Sequence, residues 1–470
     1  MFKARKWWAL GLTATMIMGT MAGCSSGSGE TKGTSGGGDP AANTENGSTD
    51  SGQTSGNSGA AGNEEASFEK KAPEEYEGEI EIWSWSESEV QTLAENFNAV
   101  YPNVKIKYVP IDNGDVTMKL QTAAASGGDF PDIAYVELNT RGQLLSMDIW
   151  EDLSAAPYNM DTSMIWQPLL SLETTEDGRV VCIDREYNPS GFVFRRSLAK
   201  EYLGTDDRDE IYSMISDWDK FVETGKKVLE ASNGEVYMLA GLDDINWMLA
   251  NQYGEEVFSG DTAYLTKYFT HMLTPMVKIR DAGIAGQMKR FTPAWNSSYR
   301  DANVLIYEYA PWSAASAIKA NAPDTAGDWS VIEATGGPYV MGGTAYGIPK
   351  EAKNKELAWL FIEWTLLTEE GTKACEEDLG SIGPLQGYYD NRPENKDEFF
   401  GGQDVNKFLL EEIAPKLNMR TVNQYDRVLD EVMGLVMERL QSDKEFDLDS
   451  ALEYAIEEAT NKLPATMTIE

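Results

Sequence analysis

His271 is the only histidine in the 470 residues, and Cys24, Cys182 and Cys375 are the only cysteines. A His-rich metal site or a histidine-based triad therefore has little to draw on, and no Cys-x-x-Cys pair is present. There is no Gly-x-x-x-x-Gly-Lys-Ser/Thr loop, so nucleotide hydrolysis is not expected of this chain, and no cofactor is implied. Carboxylates are abundant, with 77 Asp and Glu against 39 Lys and Arg. Acid–base pairs can thus always be found, and their presence proves nothing. Two stretches suit binding better: Trp83 to Glu87 after one alternating segment, and Glu137 to Arg141 after another. Both place indole, carboxylate, amide or guanidinium groups where a strand gives out.

The elements that would position them follow from periodicity. In GEIEIWSW, Ile80 and Ile82 alternate with Glu79 and Glu81, which predicts a strand. Val90, Leu93, Ala94, Phe97 and Val100 then recur at helical spacing, and Pro102 ends that helix. NVKIKYV alternates again, KLQTAAASGG is helical, and FPDIAYVEL is a short apolar strand. Strand–helix–strand–helix–strand implies a mostly parallel sheet, which takes ligands beyond the carboxyl ends of its strands. Further on, two short strands flank Tyr187–Gly191, SDWDKFVETGKKVLEAS is amphipathic, and ANVLIYEYAPW is a strand ending at Ala310-Pro311-Trp312. The chain closes with two amphipathic helices marked by Val428 to Val436 and by Leu452 to Leu463.

The first residues are an address. Lys3, Arg5 and Lys6 precede an apolar run to about Ala22, too short to span a bilayer comfortably and suited to a secretory signal. Met21-Ala22-Gly23-Cys24 resembles a bacterial lipobox, which implies cleavage before Cys24 and acylation of that cysteine. From Ser25 the chain is Gly, Ser, Thr, Asn, Ala and Glu, a composition that stays disordered. About fifty such residues reach roughly 40 Å. The net charge of −38 becomes −41 once cleavage removes three basic residues and no acidic ones. So negative a chain excludes nucleic acid and an anionic lipid surface as partners.

From about Glu79 to Leu463 the chain resembles the extracellular solute-binding proteins of bacterial ABC importers, in the sugar-binding family that includes maltose-binding protein. The resemblance is carried by YPNVKIKYV, AAASGGDFPDIAYVEL, DWDKFVETGKKV, the strand ending APW, and GGTAYGIPKEAKNKELAWLFIEWTLLTEEG. Two positions depart from the family pattern: Phe194-Arg195 stands where Tyr-Asn is usual, and Tyr253-Gly254 where two glycines are. The resemblance implies an α/β, two-lobed, periplasmic-binding-protein-like clamp, each lobe a mostly parallel sheet flanked by helices, with the ligand cleft at the hinge. The lipobox resemblance and the composition after it imply residues 1–23 as lipoprotein signal peptide and 24–75 as lipid-anchored flexible linker. Lobe 1 would be 76–187 and 340–400, and lobe 2 188–339 and 401–470.

The same resemblance implies a carbohydrate ligand, membrane permease subunits as partners, a monomer, and a place on the extracellular face of the cell membrane. A sugar needs aromatic faces for its C–H surfaces and planar polar groups for its hydroxyls. Carried over by position, those residues are Trp83, Trp85, Glu137, Asn139, Arg141, Asp244, Trp247, Trp312 and Tyr425. Trp83 is equally suited to the core, Glu137 to capping a helix, and Arg141 to solvent. Trp218, Trp359 and Trp364, on helix faces, are expected to be core. The competing readings are a secreted carbohydrate-active enzyme anchored as a lipoprotein, which would cleave oligosaccharides, and an adhesive surface lipoprotein, which would neither close nor saturate.

Overall fold

The structure, a computed structural model, describes residues 67–390 and 392–470. The leader, Cys24 and the linker as far as residue 66 lie outside them. Residues 67–75, expected as the end of the linker, lie against the fold. The Phe68 ring meets Tyr158 edge-on at 5.5 Å, and Lys71 pairs with Glu356 at 2.7 Å.

The strands are β1 (Gly78–Ser84), β2 (Val104–Pro110), β3 (Ile133–Glu137), β4 (Cys182–Asp184), β5 (Pro189–Arg195), β6 (Phe258–Ser259), β7 (Thr262–Ala263), β8 (Ile306–Tyr309), β9 (Trp329–Ile332), β10 (Tyr339–Val340), β11 (Thr344–Gly347) and β12 (Thr468–Ile469). They form a five-stranded sheet ordered β2-β1-β3-β11-β4, and a second in which β5 sits between β8 and β9 and also pairs with β10. A small three-stranded sheet, β12-β7-β6, stands apart.

β1 lies parallel to β2 and β3, each strand reached through a crossover helix, Glu87–Val100 and Val116–Ser126. The first of these stops at Val100 because the residue before Pro102 is steered out of the helical region. The second ends where Gly127 takes a left-handed φ of 64°. β11 enters antiparallel.

The second sheet differs from the mostly parallel expectation. β5 pairs antiparallel with β8, β9 and β10. β5 enters from the first sheet and so runs against the strands it meets. Parallel pairing survives beside it only as single bridges, Tyr237 with Val304 and Leu239 with Ala285.

Each large sheet has its own apolar filling. Ile80, Ile82, Phe97, Ile133, Phe361 and Trp364 pack on the first. Phe192, Phe194, Phe221, Met272, Val432 and Ala455 pack on the second. The chain passes between sheets twice at one place, from β4 into β5 and from β10 into β11. The two passages touch: Tyr339 and Val340 pair with Ser190 and Pro189. Gly342 and Gly343 follow, both at positive φ (70° and 153°). Side chains disfavour that region, so the glycines let the return passage turn there.

Away from the passages, Gly142 of the helix Leu138–Leu145 packs on the main chain of Asn423; a Cβ at Gly142 would collide with the Asn423 carbonyl. Cys182 and Cys375 are both buried free thiols. Among the described residues no helix is long and apolar enough to cross a membrane.

Candidate functional site

The carboxyl end of β3 runs directly into the helix Leu138–Leu145, with Glu137 at its N-cap position making no capping hydrogen bond. Glu137, Leu138 and Asn139 instead line a cleft whose free space, counted out into open solvent, is about 850 Å³. Its other walls come from the second-sheet side. The helix Asp243–Gln252 contributes Trp247 and Asn251, Tyr253 follows it, and Tyr268 comes from the helix Leu265–Ala282. The loop before the helix Asp426–Ser442 contributes Arg420, and that helix contributes Asp426 and Asp430. Val340 and Gly342 of the return passage form the back.

Of the residues singled out by sequence, the structure brings Glu137, Asn139 and Trp247 together here. The others stand elsewhere.

Trp83 continues the strand's alternation into the core. Its Nε1 donates to Glu81 Oε1 (2.8 Å), and the Lys119 ammonium lies 4.0 Å from its ring. Trp85 packs edge-on against Tyr135 at 5.4 Å.

Arg141, thought suited to solvent, is fully buried. Its Nη1 and Nη2 each donate to Asp184 at 2.7 Å, and Nη2 also donates to the Gly343 carbonyl at 3.0 Å. It thus ties the outgoing passage to the returning one.

Asp244 is buried and accepts from the Ala240 and Gly241 amides and from Trp295 Nε1 (2.8 Å). Burial pushes it up to about 6.

Trp312 follows a ladder that ends at Tyr309, as Pro311 requires, but Pro311 then starts a short helix. The Trp312 Nε1 donates to the Met341 carbonyl at 3.0 Å, so the indole braces the return passage. Tyr425 packs on Phe258, its ring 5.5 Å away.

Tyr253, Tyr268, Arg420, Asp426 and Asp430 were missed. Tyr253 carried a signal, as half of the departure from the usual double glycine. Asp426 and Asp430 also did, standing four apart on one face of an amphipathic helix.

Burial pushes Glu137 up to about 7 against the pull of Arg141, and its one side-chain donor is Thr344 Oγ1 at 3.3 Å. Burial, reinforced by Asp426, pushes Asp430 up to about 7. Asn139 Oδ1 and the Tyr253 hydroxyl are buried without a hydrogen-bond partner. Buried polar atoms are seldom left so, which singles out this cleft as the candidate site.

Residues 92–400 match the family model described as bacterial extracellular solute-binding protein. The chain belongs to the bacterial extracellular solute-binding proteins. Within this family it is 23% identical over 349 residues to the lactose-binding protein of Rhizobium radiobacter, covering 70% of this chain and 81% of that one. It is 22% identical over 375 residues to the arabinooligosaccharide-binding protein of Halalkalibacterium halodurans, covering 74% and 81%. Among solved structures, the galacto-N-biose/lacto-N-biose I-binding protein of the ABC transporter from Bifidobacterium longum superposes with a TM-score of 0.67 at 17% identity, covering 84% of this chain and 99% of that one. The fold is that of the two-lobed solute-binding proteins, and the cavity lies between its two large sheets.

Proposed function

We propose that this protein captures a carbohydrate, an oligosaccharide, outside the cell and delivers it to the permease of an ABC importer, without catalysing a reaction. The observation that carries the reading is the cavity at the carboxyl end of β3, where the Trp247 indole stands among the acceptors Glu137 and Asn139. An aromatic face with planar acceptors suits a sugar ring and its hydroxyls. The names of the lactose-binding and arabinooligosaccharide-binding relatives support the same class of ligand. Lobe 1 would comprise 76–187 and 340–400, and lobe 2 188–339 and 401–470. Closure would hinge on the adjoining passages at 185–189 and 341–343.

A thermal-shift screen against lactose, arabinooligosaccharides and other saccharides tests the reading. A saccharide at a hundred times its Kd should stabilise the fold by about 2.7 kcal/mol. Saccharides that leave the melting temperature unmoved, while amino acids or peptides raise it, overturn the proposal. Recovered oligosaccharides should be uncut, since cleavage products would indicate an enzyme instead. The anchor at Cys24 is tested by mass spectrometry of the native protein: a diacylated first residue supports it, and an unmodified amine on a later residue refutes it.

A further inference from the structure

The cavity holds more carboxylate than it can neutralise. Glu137, Asp426 and Asp430 line it against one guanidinium, Arg420. Arg420 is spent on Asp426, with Nη1 2.9 Å from Oδ1 and 3.1 Å from Oδ2, and Asp426 also accepts from the Asn423 amide at 2.7 Å. One turn further on, Asp430 has no ion pair or hydrogen-bond donor among the described residues. Arg427, the nearest other cation on that helix, is turned to Glu431 at 3.6 Å. Tyr268 is close enough to feel the Asp430 charge, and Tyr253 packs on Tyr268 in the same wall. Tyr253, only 8% exposed, has an unpartnered hydroxyl, and it meets the buried Tyr268 edge-on with centroids 5.3 Å apart.

Apart from the Tyr253 hydroxyl, which can donate as well as accept, the unused capacity of the cavity is thus acceptor. Glu137, Asp430 and Asn139 Oδ1 can all accept, and a cation docked beside either carboxyl, each at about 7, would draw it into its charged form. A ligand that fills this space removes water from the carboxyl oxygens and must supply donors in return. A sugar hydroxyl supplies one neutral donor. An ammonium supplies three, with a charge, and its bonds to carboxylate are roughly twice as strong. Tyrosine rings nearby favour a cation as well. Uronates and sugar phosphates would add charge of the wrong sign.

We infer that the saccharide taken by this cavity carries a free amine, docked as an ammonium against Asp430 beside Tyr253 and Tyr268; this rests on the cavity being the sugar site. Calorimetry on the whole chain at pH 7 tests it with two matched pairs. One is lactose against its 2-amino-2-deoxy analogue, and the other is cellobiose against the β-1,4-linked glucosamine disaccharide. The amine of at least one pair should bind about tenfold tighter than its hydroxyl partner. N-acetylation should abolish the gain. Asp430→Asn, nearly isosteric and checked by melting, should reduce the ratio of amine to neutral affinity below about threefold, whatever it does to the two affinities separately. Neutral members that bind as well as the amines overturn the inference and leave the sugar reading standing. An undiminished amine preference in Asp430→Asn overturns the assignment of that residue. Binding of none of the four overturns the inference, and the saccharide screen then decides the sugar reading separately.

Discussion

The Arg290 guanidinium lies 5.0 Å over the ring of Trp247, so the indole lining the cavity is backed by a buried charge. Glu308 holds that charge at 2.8 Å, and both partners are almost fully buried. One face of the indole is thereby fixed. Removing Arg290 alone would strand Glu308, so Arg290→Met is best combined with Glu308→Leu. Replacing a buried pair together is often neutral for stability. Losing the cation beneath the ring should weaken saccharide binding by roughly three- to tenfold. Calorimetry alongside melting checks this: lost stability with unchanged affinity would make the pair purely structural.

Arg141 closes a different circuit, between Asp184 and the Gly343 carbonyl. Arg141→Met would leave Asp184 buried without its cation, next to Glu173, which accepts from the Asp184 amide at 2.7 Å. Unfolding by urea should show a loss of about 3–5 kcal/mol.

The pH dependence of stability should carry the mark of Asp430. Its folded value is about 7 against an ordinary 3.8, so between these limits the folded chain holds a proton that the unfolded chain has released. Stability from this group is therefore present at low pH and falls as pH rises toward 7. Asp430→Asn should be stabilised relative to the parent by roughly 1–3 kcal/mol at pH 8, and by much less at pH 4. Parallel denaturation curves at the two pH values decide it.

Gly142 offers a test of closure. A valine there would press on the Asn423 carbonyl and push the Met419–Val422 side of the cavity outward. The open form should gain population, so that apparent affinity drops roughly tenfold or more while the melting temperature changes little. X-ray scattering with saturating saccharide should then give a larger radius of gyration than for the parent. Identical curves would show that this contact does not gate closure.

Much of the fold was legible because its signals are local. Pro102, Gly127 and Pro311 end their elements where they stand in sequence, and the alternation of Ile80 and Ile82 marks β1. The direction of β5 was not legible, since it depends on where the chain arrives from. Part of the cavity wall has local signals: Glu137 and Asn139 stand directly after a strand, and Trp247 sits where the family's pattern places a ligand residue. Arg141 looked exposed because its partner, Asp184, is 43 residues away. The N–H of Trp312 bonds to Met341, 29 residues on, a contact with no local signal in the sequence. The loop with Arg420 has no periodicity, and only tertiary packing brings it to the cavity.

Burial of Cys182 and Cys375 pushes both thiols well above their ordinary range, so neither offers a reactive thiolate at neutral pH. The folded part of the chain is therefore silent toward maleimides. Within that part, cysteines introduced at two exposed positions, Lys105 beside the first sheet and Lys267 beside the second, would alone take up a donor and an acceptor dye. The distance between sheets could then be followed molecule by molecule as saccharide is added, giving dwell times for each shape that no averaged measurement reports.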